Sequence, residues 1–538
     1  MTQAIIKLGP ILGLEGDYRY TISFVSQSDF DPTDVTLELN GPEGAATLCF
    51  DSKERLHSTF LYKVTFNVAQ LAASFAMSYI LAHNGQPMTN KSGDAGWNFA
   101  VPGDIIIPKI GFASCNGDGK TLPENQADAN YVMWERLLSS HKQEGGKFAF
   151  HCLILGGDQV YADPIWEKID YFAKHKLLGW RSTRAMAEHK IDPLDLPDLT
   201  AAIEGFYESL YINSWSRTPV SNVLASIPTI MMWDDHDIFD GWGSHPEALQ
   251  SSDVFQLIYR IAKKYFGLLQ IRGSSNRSLI AEEHYSLAVS FRNFEIIALD
   301  NRSHRTQHAI MSDAQYEDIS TLLSRDLFKS TAPKLHAQKV MLFVVPVPIA
   351  HLNYKKRAEG LLKWLFRSDF RRSLNDDGLD HWDHHYHDAE QKRLIDLMFA
   401  FGDAFNPKYV HIISGDVHSA GAGRVVRNGE NLRIINQFIS SAIVYKPVGK
   451  IEQFFIDLMA DKKSEIEGYQ VGINEFGVGS KAHLVIYQRN FGFFYRAEGL
   501  GLKAYLTLED NSDGYDFDQP AQYKPLEKDL INTQINYD

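Results

Sequence analysis

Two patterns of hydrophobic and polar positions divide the chain. Up to residue 103, apolar and polar positions alternate over short stretches rich in β-branched and aromatic residues, as in residues 58–71 (STFLYKVTFNVAQL). Turn signals such as Asn40-Gly41 and Asn84-Gly85 separate these stretches. Alternation with a period of two is typical of half-buried strands. The pattern predicts an N-terminal β-sandwich domain over residues 1–103, with its junction at residues 102–104.

From residue 104 onward, short apolar runs alternate with longer amphipathic segments, which is typical of an α/β domain. The runs lie at residues 105–115, 148–158, 227–237, 294–300, 340–347 and 409–418. Helices are predicted over residues 129–141, after Ser312, which forms a capping box with Gln315, and from Asp388 to about residue 399. We therefore expect a second, α/β domain over residues 104–538, with a helical insertion at about 352–400.

The composition describes an acidic globular protein. The 538 residues include 53 Lys and Arg against 67 Asp and Glu, for a net charge of −14, and 44% of them are hydrophobic. This hydrophobic content excludes a disordered chain. The negative charge argues against a broad nucleic-acid-binding surface, but it is compatible with a small anionic substrate held by metal ions and a few arginines.

The cysteines and the N-terminus predict a cytoplasmic protein. Three cysteines do not make a disulfide framework, and the first residues lack the pattern of an export signal. The longest apolar run, residues 340–350, contains two prolines and is shorter than the ~18 residues of a membrane span. Cys49 and Cys152 lie in apolar runs and are expected in the core, whereas Cys115 follows a predicted strand and is a candidate metal ligand.

Most of the predicted buried strands are followed by residues that can bind metal ions or anions. These residues are Cys115; Asp158, Tyr161 and Asp163; Asp234, Asp235, His236 and Asp237; Asp300, Arg302, His304 and Arg305; and Asp416 and His418. In open α/β sheets, the loops at the carboxyl ends of the strands converge on one crevice. We therefore expect these side chains to meet there.

Such a cluster of carboxylates is unfavourable unless cations neutralise it or the carboxyl groups stay protonated. Two bare carboxylates 4 Å apart repel each other by about 4 kcal/mol at an effective dielectric constant of 20. Thiolate, phenolate and imidazole ligands suit a redox-active metal such as iron, whereas an all-carboxylate set suits calcium, magnesium or manganese. Two metal ions about 3.5–4 Å apart are the usual arrangement for displacement at phosphorus.

Five motifs, in this order, resemble those of the PhoD-type alkaline phosphatases, which belong to the calcineurin-like metallophosphoesterases. They are Gly157-Asp158-x-x-Tyr161, residues 233–237 (WDDHD), Asp300-x-Arg302-x-x-Arg305, Trp382-Asp383 and residues 415–418 (GDVH). The resemblance extends over about residues 105–445. It implies a layered αββα sandwich, preceded by an N-terminal β-sandwich.

The resemblance also implies roles for individual residues. The implied ligands of a first metal, ferric iron, are Cys115, Asp158, Tyr161 and His418, with Asp158 bridging to the second metal. Asp235 and Asp416 would hold that second metal, which would be calcium or another divalent ion. His236 would approach the scissile phosphate, and Arg302 and Arg305 would hold the phosphate oxygens.

The expected function is hydrolysis of a small phosphate ester, either a monoester or a diester. We expect Asp237 to orient His236. The alternative is a non-catalytic protein that binds a phosphorylated ligand on the same fold. The joint presence of one Cys, three Asp, one Tyr and two His at the motif positions favours the enzyme.

Three segments leave alternatives open. Residues 344–351 (VVPVPIAH) place prolines where relatives carry polar groups, and His351 is a candidate substitute ligand. The basic segment 352–372 predicts a helix that packs on the domain or on a second subunit, which would make a homo-oligomer, or else one that binds a membrane surface. The His-rich run 380–388 is either an exposed loop or a metal cluster.

Overall fold

The structure is a computed structural model, and its helices flank two large sheets. It describes residues 5–117, 128–142, 149–177, 183–273, 283–351, 353–354, 382, 387–428, 433–447, 460–461, 463–474, 476–478, 481–483, 485–496, 502–509 and 526–529. The α-helices of these residues are α1 Val132–Lys142, α2 Ile165–Lys168, α3 Asp170–Lys174, α4 Thr183–Glu188, α5 Leu196–Trp215, α6 Thr218–Ser226, α7 Glu247–Gln250, α8 Asp253–Phe266, α9 Asp313–Thr321 and α10 Asp388–Phe405.

The strands are numbered in chain order. They are β1 Ile6–Gly16, β2 Arg19–Ser26, β3 Val35–Gly41, β4 Gly44–Cys49, β5 Ser52–Arg55, β6 Phe60–Asn67, β7 Phe75–His83, β8 Gln86–Pro87, β9 Gly96–Val101, β10 Ile110–Ala113, β11 Cys152–Gly156, β12 Thr229–Met232, β13 Leu287–Phe291, β14 Phe294–Ala298, β15 Val340–Val344, β16 Asn353–Tyr354, β17 Tyr409–Ser414, β18 Ala420–Arg427, β19 Ile434–Ile439, β20 Ala460–Asp461, β21 Lys463–Ile466, β22 Tyr469–Asn474, β23 Phe476–Val478, β24 Lys481–His483, β25 Val485–Ile486, β26 Asn490–Arg496, β27 Leu502–Leu508 and β28 Leu526–Asp529.

Two sheets pack face to face at the centre of the molecule. The first has the order β28-β27-β26-β10-β11-β12-β1-β2-β6-β5, and the second has the order β13-β14-β15-β17-β19-β18-β22-β21, with β25 paired to β18. The rings of Phe494 in the first sheet and Phe438 in the second lie 5.6 Å apart. Helices cover the outer faces, because Trp134 of α1 belongs to the core of the first sheet and Leu394 of α10 to that of the second. The predicted layered α/β fold is confirmed.

The strands that carry the candidate site are parallel and buried on both faces. In the first sheet β10, β11 and β12 run parallel, and in the second β14, β15, β17 and β19 do. Every residue of β11, β14, β15 and β17 is buried. Burial on both faces explains why these strands are continuous apolar runs in the sequence.

The N-terminal strands divide between two sheets. Strand β1 lies parallel to β12, and the Thr229 hydroxyl donates to the Leu12 carbonyl at 2.9 Å, so β1, β2, β5 and β6 extend the first large sheet. The other N-terminal strands, β3, β4, β7, β8 and β9, form a separate sheet. The two sheets meet at Tyr20 and Phe99, whose rings lie 5.1 Å apart. The first large sheet contains strands from both sides of residue 103. The domain boundary predicted after this residue stays a prediction.

Two local predictions need correction. Ser312 caps α9 by accepting a hydrogen bond from the Gln315 N–H at 3.2 Å, but the Gln315 amide donates to the Asp300 carbonyl and the Ser286 hydroxyl instead of completing a capping box. Cys152 is buried as expected, whereas Cys49 is exposed because β4 lies at the edge of its sheet. None of the helices in the described residues has the length and apolar character needed to cross a membrane.

Candidate metal centre

The candidate centre is assembled from loops at the carboxyl ends of strands in both large sheets. Cys115 follows β10, Asp158 follows β11, and residues 235–237 form a short 3-10 helix directly after β12. Asp416 and His418 follow β17 of the second sheet. The predicted convergence of these residues is therefore seen in the geometry, although Cys115 and Asp416 are separated by 301 positions in the sequence.

The first group combines sulfur, oxygen and nitrogen ligands. Cys115, Asp158 and His418 offer ligand atoms that all lie within 4.8 Å of one another, and the Cys115 Sγ is 3.5 Å from the Asp158 Oδ2. The Tyr161 hydroxyl is 3.4 Å from the same oxygen and 3.2 Å from the His418 Nε2. These are the four residues implied as ligands of the first metal.

The second group consists of carboxylates. Asp158, Asp234, Asp235 and Asp416 offer oxygens within 4.8 Å of one another, and a third group combines Asp158 and Asp235 with His236. Asp158 belongs to all three groups. Asp234 was not among the implied ligands, although its place in the motif at residues 233–237 was a signal for it.

The electrostatics of the centre favour a bound cation. Burial, above all, raises the pKa of the Asp158 carboxyl well above its usual range, and the charges of Asp235 and Asp234 add to this shift against the opposing effect of His236. The Asp158 Oδ1 has no hydrogen-bond partner among the described residues. A buried carboxylate oxygen without a partner is costly unless a metal ion or a proton satisfies it. The residues present therefore fit a metal site.

The other ligands of the first group lie in the same environment. Burial raises the pKa of the Cys115 thiol well above its usual value, and the charge of Asp158 adds to it. Burial also raises the pKa of the Tyr161 hydroxyl and lowers the pKa of His418 to about 3. A neutral imidazole is the form that binds metals, and a cation would favour the thiolate and the phenolate.

The backbone around the candidate ligands is strained. Cys115, Asp158, Asp416 and His418 have φ angles between 47° and 64°, which residues with a Cβ seldom adopt. Gly157 has a φ of 111°, and a Cβ there would lie 2.9 Å from the Asp234 side chain. Such strain costs on the order of 1–3 kcal/mol per residue and concentrates at functional sites.

His236 is paired with Asp163. Its Nδ1 lies 2.9 Å from an Asp163 carboxylate oxygen, and its ring stacks on Tyr161 at 4.3 Å. Burial alone would lower the pKa of His236, but the carboxylates of Asp163, Asp235 and Asp158 outweigh it and hold this pKa well above its usual value.

The expected role of Asp237 needs correction. Its carboxylate accepts hydrogen bonds from the main-chain N–H groups of Asp234, Gln159 and Val160 and from the Gln270 amide, and so it fixes the loops of the site. Asp163 orients His236 instead. The sequence predicted that Asp163 follows β11 near the site. It could not predict that Asp163 contacts His236, because this contact depends on the packing of two loops.

The two arginines are buried. The Arg302 guanidinium bonds to Asp234, to the Asp235 Oδ1 at 3.3 Å and to the Trp242 carbonyl at 3.0 Å, and its side chain is fully buried. Arg305 is 3% exposed, and its side chain packs against Gly243. In the structure, the partners of Arg302 are therefore carboxylates, whereas phosphate oxygens were the expected partners.

The remaining sequence candidates lie outside this centre or outside the described residues. Asp300 is buried and organises a turn after β14. His351 is not part of the metal-binding groups found in the described residues. Of the His-rich run 380–388, the structure describes Trp382 and His387, both buried, and Asp388. The basic segment 352–372 lies outside the described residues except for the two residues of β16.

Comparison with known proteins agrees with this geometry. The model of the family described as PhoD related phosphatase matches residues 123–359. The resemblance predicted from the motifs is therefore confirmed.

Individual relatives extend the comparison. The solved structure of PhoD matches with a TM-score of 0.53 and 14% identity over 95% of this chain and 92% of its own, so the two share a fold. A purple acid phosphatase from yellow lupin (Lupinus luteus) seeds matches with a TM-score of 0.47 and 10% identity, over 98% of this chain and 75% of its own. An uncharacterized protein of Saccharomyces cerevisiae is 25% identical over 65% of this chain, which spans 58% of that protein's length.

Proposed function

We propose that the protein is a metal-dependent phosphoric ester hydrolase that acts on small phosphomonoesters, phosphodiesters or both. The observation that carries the proposal is the position of Asp158, whose carboxylate is shared by all three groups of candidate ligands. A carboxylate shared between two ligand sets can bridge two metal ions, as a dinuclear site would have it.

The two ligand sets favour different metals. Cys115, Tyr161 and His418 supply sulfur, phenol and imidazole ligands beside Asp158, a set that suits ferric iron. Asp234, Asp235 and Asp416 supply carboxylates beside Asp158, a set that suits calcium or another hard divalent ion. When bound, such a metal pair supplies positive charge at the phosphate oxygens and lowers the pKa of a water molecule that attacks phosphorus.

The chain's own residues would complete the reaction. His236, whose pKa the carboxylate of Asp163 helps to raise, would donate a proton to the leaving oxygen. Arg302 balances the charge of Asp234 and Asp235 and fixes the position of these two carboxylates. We assign no direct phosphate contact to Arg302, because each of its three guanidinium nitrogens already bonds to Asp234, Asp235 or the Trp242 carbonyl.

Replacing Asp158 tests the proposal. Asp158→Asn should lower turnover of p-nitrophenyl phosphate and bis-p-nitrophenyl phosphate on the order of a thousandfold and should reduce the bound metal measured by elemental analysis. Asp51→Asn, at an exposed position, is the matched control and should behave as the unsubstituted protein. An Asp158→Asn variant with full turnover and full metal content would contradict the proposal.

An absorbance scan tests the iron assignment. Phenolate or thiolate bound to ferric iron should give a visible charge-transfer band, which Tyr161→Phe should shift or remove. A colourless protein that holds only other metals would exclude iron but retain the hydrolase. A preparation without metal and without turnover of either ester would favour the binding protein instead.

A further inference from the structure

A cavity lies at the N-terminal ends of β10 and β11, whereas the candidate metal centre lies at the carboxyl ends of the same strands. It has a volume of about 940 Å³. Lys109 directly precedes β10 and His151 directly precedes β11, and both line this cavity, whereas Cys115 and Asp158 follow the same two strands. The cavity and the metal centre therefore lie at opposite ends of these two paired strands.

The lining of this cavity has more basic than acidic side chains. Its described residues include Lys109, His141, Lys142, His151 and Arg496, which come from four separate segments of the chain. The one acidic residue among them is Asp94, and its Oδ2 accepts a hydrogen bond from the Asn90 amide at 3.1 Å. In a protein with a net charge of −14, this local excess of positive charge indicates an anionic ligand.

The two histidines are fixed as hydrogen-bond donors. The His141 Nδ1 accepts the main-chain N–H of Phe150 at 3.1 Å, and the His151 Nδ1 accepts that of Lys109 at 2.9 Å. A neutral imidazole that accepts through Nδ1 carries its proton on Nε2. Burial lowers the pKa of these rings to about 4 and about 3, so near neutral pH both present an N–H.

Lys109 places its charge among aromatic rings. Its Nζ lies 3.9 Å from the centre of the Phe150 ring, 4.6 Å from that of Phe493 and 5.6 Å from that of Tyr495. Burial lowers the pKa of this ammonium group to about 7. A neighbouring anion would favour the charged form.

One part of the wall is apolar. Phe75, Trp97, Phe99, Ile105 and Ile106 line the cavity. Ile105 is 40% and Ile106 37% exposed, which places them among the few large hydrophobic side chains that the described residues expose. Exposed apolar residues beside a cluster of basic ones suit a ligand with an apolar body and a charged head.

We propose that this cavity binds an amphiphilic organic anion, with a phosphate-type or carboxylate head held by Lys109, His141 and His151 and an aliphatic or aromatic body against the apolar wall. The ligand is distinct from the ester hydrolysed at the metal centre. The proposal depends on the cavity alone and stands whether or not the chain is a hydrolase.

Titration calorimetry on the full chain tests the proposal with octylphosphonate, whose carbon–phosphorus bond a phosphoesterase does not cleave, and with octanoate. One or both should bind, and the difference between them identifies the preferred head group. Inorganic phosphate and octan-1-ol should each bind at least about tenfold more weakly, because each lacks one half of the ligand. A match of either with the better amphiphile would overturn the proposal.

Variants locate the binding site. Lys109→Met should weaken binding about tenfold or more, and Arg496→Gln, an exposed change that does not threaten folding, by a smaller but measurable factor. Arg184→Gln, on an exposed helix outside the cavity, is the matched control and should bind normally. Asp158→Asn should also bind normally, and a loss of binding there would place the probe in the metal centre and overturn the proposal. Unchanged binding in both Lys109→Met and Arg496→Gln would overturn it equally.

Discussion

At the scale of single residues, the sequence predicted which side chains reach the candidate centre. It was a poorer guide to the hydrogen-bond partners of these side chains. Cys115, Asp158 and His418 were predictable because each follows a buried strand, and parallel strands bring such positions to one edge of the molecule. Asp163 was not predicted as the partner of His236, since Asp237 is adjacent to His236 in sequence and Asp163 is not. The choice between them depends on a contact between loops 73 positions apart, and no local pattern records it.

The pairing of His236 with Asp163 predicts a change in the pH profile. The carboxylate of Asp163 helps to raise the pKa of His236, so Asp163→Asn should lower it. If His236 donates the proton to the leaving group, activity is lost as pH rises through this pKa, and the alkaline limb of kcat should move to lower pH. We expect kcat to fall about 10- to 100-fold, with KM nearly unchanged and metal content retained. An unshifted alkaline limb, measured beside the Asp51→Asn control, would refute the role of Asp163.

His411 is a histidine in the core of the second sheet. It is buried in β17, and its ring lies 5.6 Å from that of Phe438 and 5.8 Å from that of Phe494. Neither ring nitrogen has a hydrogen-bond partner among the described residues. Burial lowers the pKa of His411 to about 3.

This burial predicts a pH-dependent gain in stability for His411→Phe. The unfolded chain takes up a proton at His411 below about pH 6.5 and the folded chain does not, so the stability of the unsubstituted protein falls with pH from this value towards 3. Phenylalanine removes the loss, which amounts to about 2 kcal/mol at pH 5. Urea unfolding at pH 5 and 7.5 should show the variant's advantage growing as pH falls. His308→Phe, at an exposed position, should show no such growth, and parallel curves for His411→Phe and the unsubstituted protein would contradict the prediction.

At the scale of elements, the buried parallel strands were predictable and the pairing of sheets was not. The runs at residues 152–156, 340–344 and 409–414 predicted their strands directly, since burial on both faces leaves these strands largely apolar, with His411 and Ser414 as the polar exceptions in the last run. The pairing of β1 with β12 could not be read in the same way. It joins segments more than 200 residues apart, and no local pattern in residues 6–16 records which strand lies beside β1.

The turn after β14 gives a prediction about how elements are joined. Asp300 is fully buried, and its Oδ1 accepts from the Trp233 indole at 2.7 Å while its Oδ2 accepts from the Tyr285 N–H at 2.8 Å. Further donors come from the main chain of Arg302 and from Ser303. Both oxygens therefore face donors from elements on either side of the turn.

Asp300→Asn should destabilise the protein by about 2–4 kcal/mol, because in either orientation the new amide group places an N–H donor against buried N–H donors. Thermal unfolding should show a lowered Tm, with Asp51→Asn unchanged as the matched control. An Asp300→Asn variant as stable as the unsubstituted protein would mean that these hydrogen bonds do not hold the turn.

At the scale of the whole molecule, the two sheets bring together negative charges that the fold alone does not neutralise. Asp158, Asp234, Asp235 and Asp416 contribute oxygens within 4.8 Å of one another, and Arg302 bonds to two of these four carboxylates. Two like charges at 4 Å repel by about 4 kcal/mol at an effective dielectric constant of 20. Bound cations should therefore hold the carboxyl ends of the first and second sheets together.

Removal of the metals should then loosen the contact between the sheets. A ligand present at about 1,000 times its dissociation constant stabilises the folded state by about 4 kcal/mol, so chelation should lower Tm by several degrees and metal replacement should restore it. In Asp158→Asn, which loses the shared ligand, chelation should have a much smaller effect. Calorimetry with parallel elemental analysis measures both. A metal-free protein with an unchanged Tm would mean that the carboxylates are accommodated by protonation, because a protonated cluster has no repulsion for a cation to relieve.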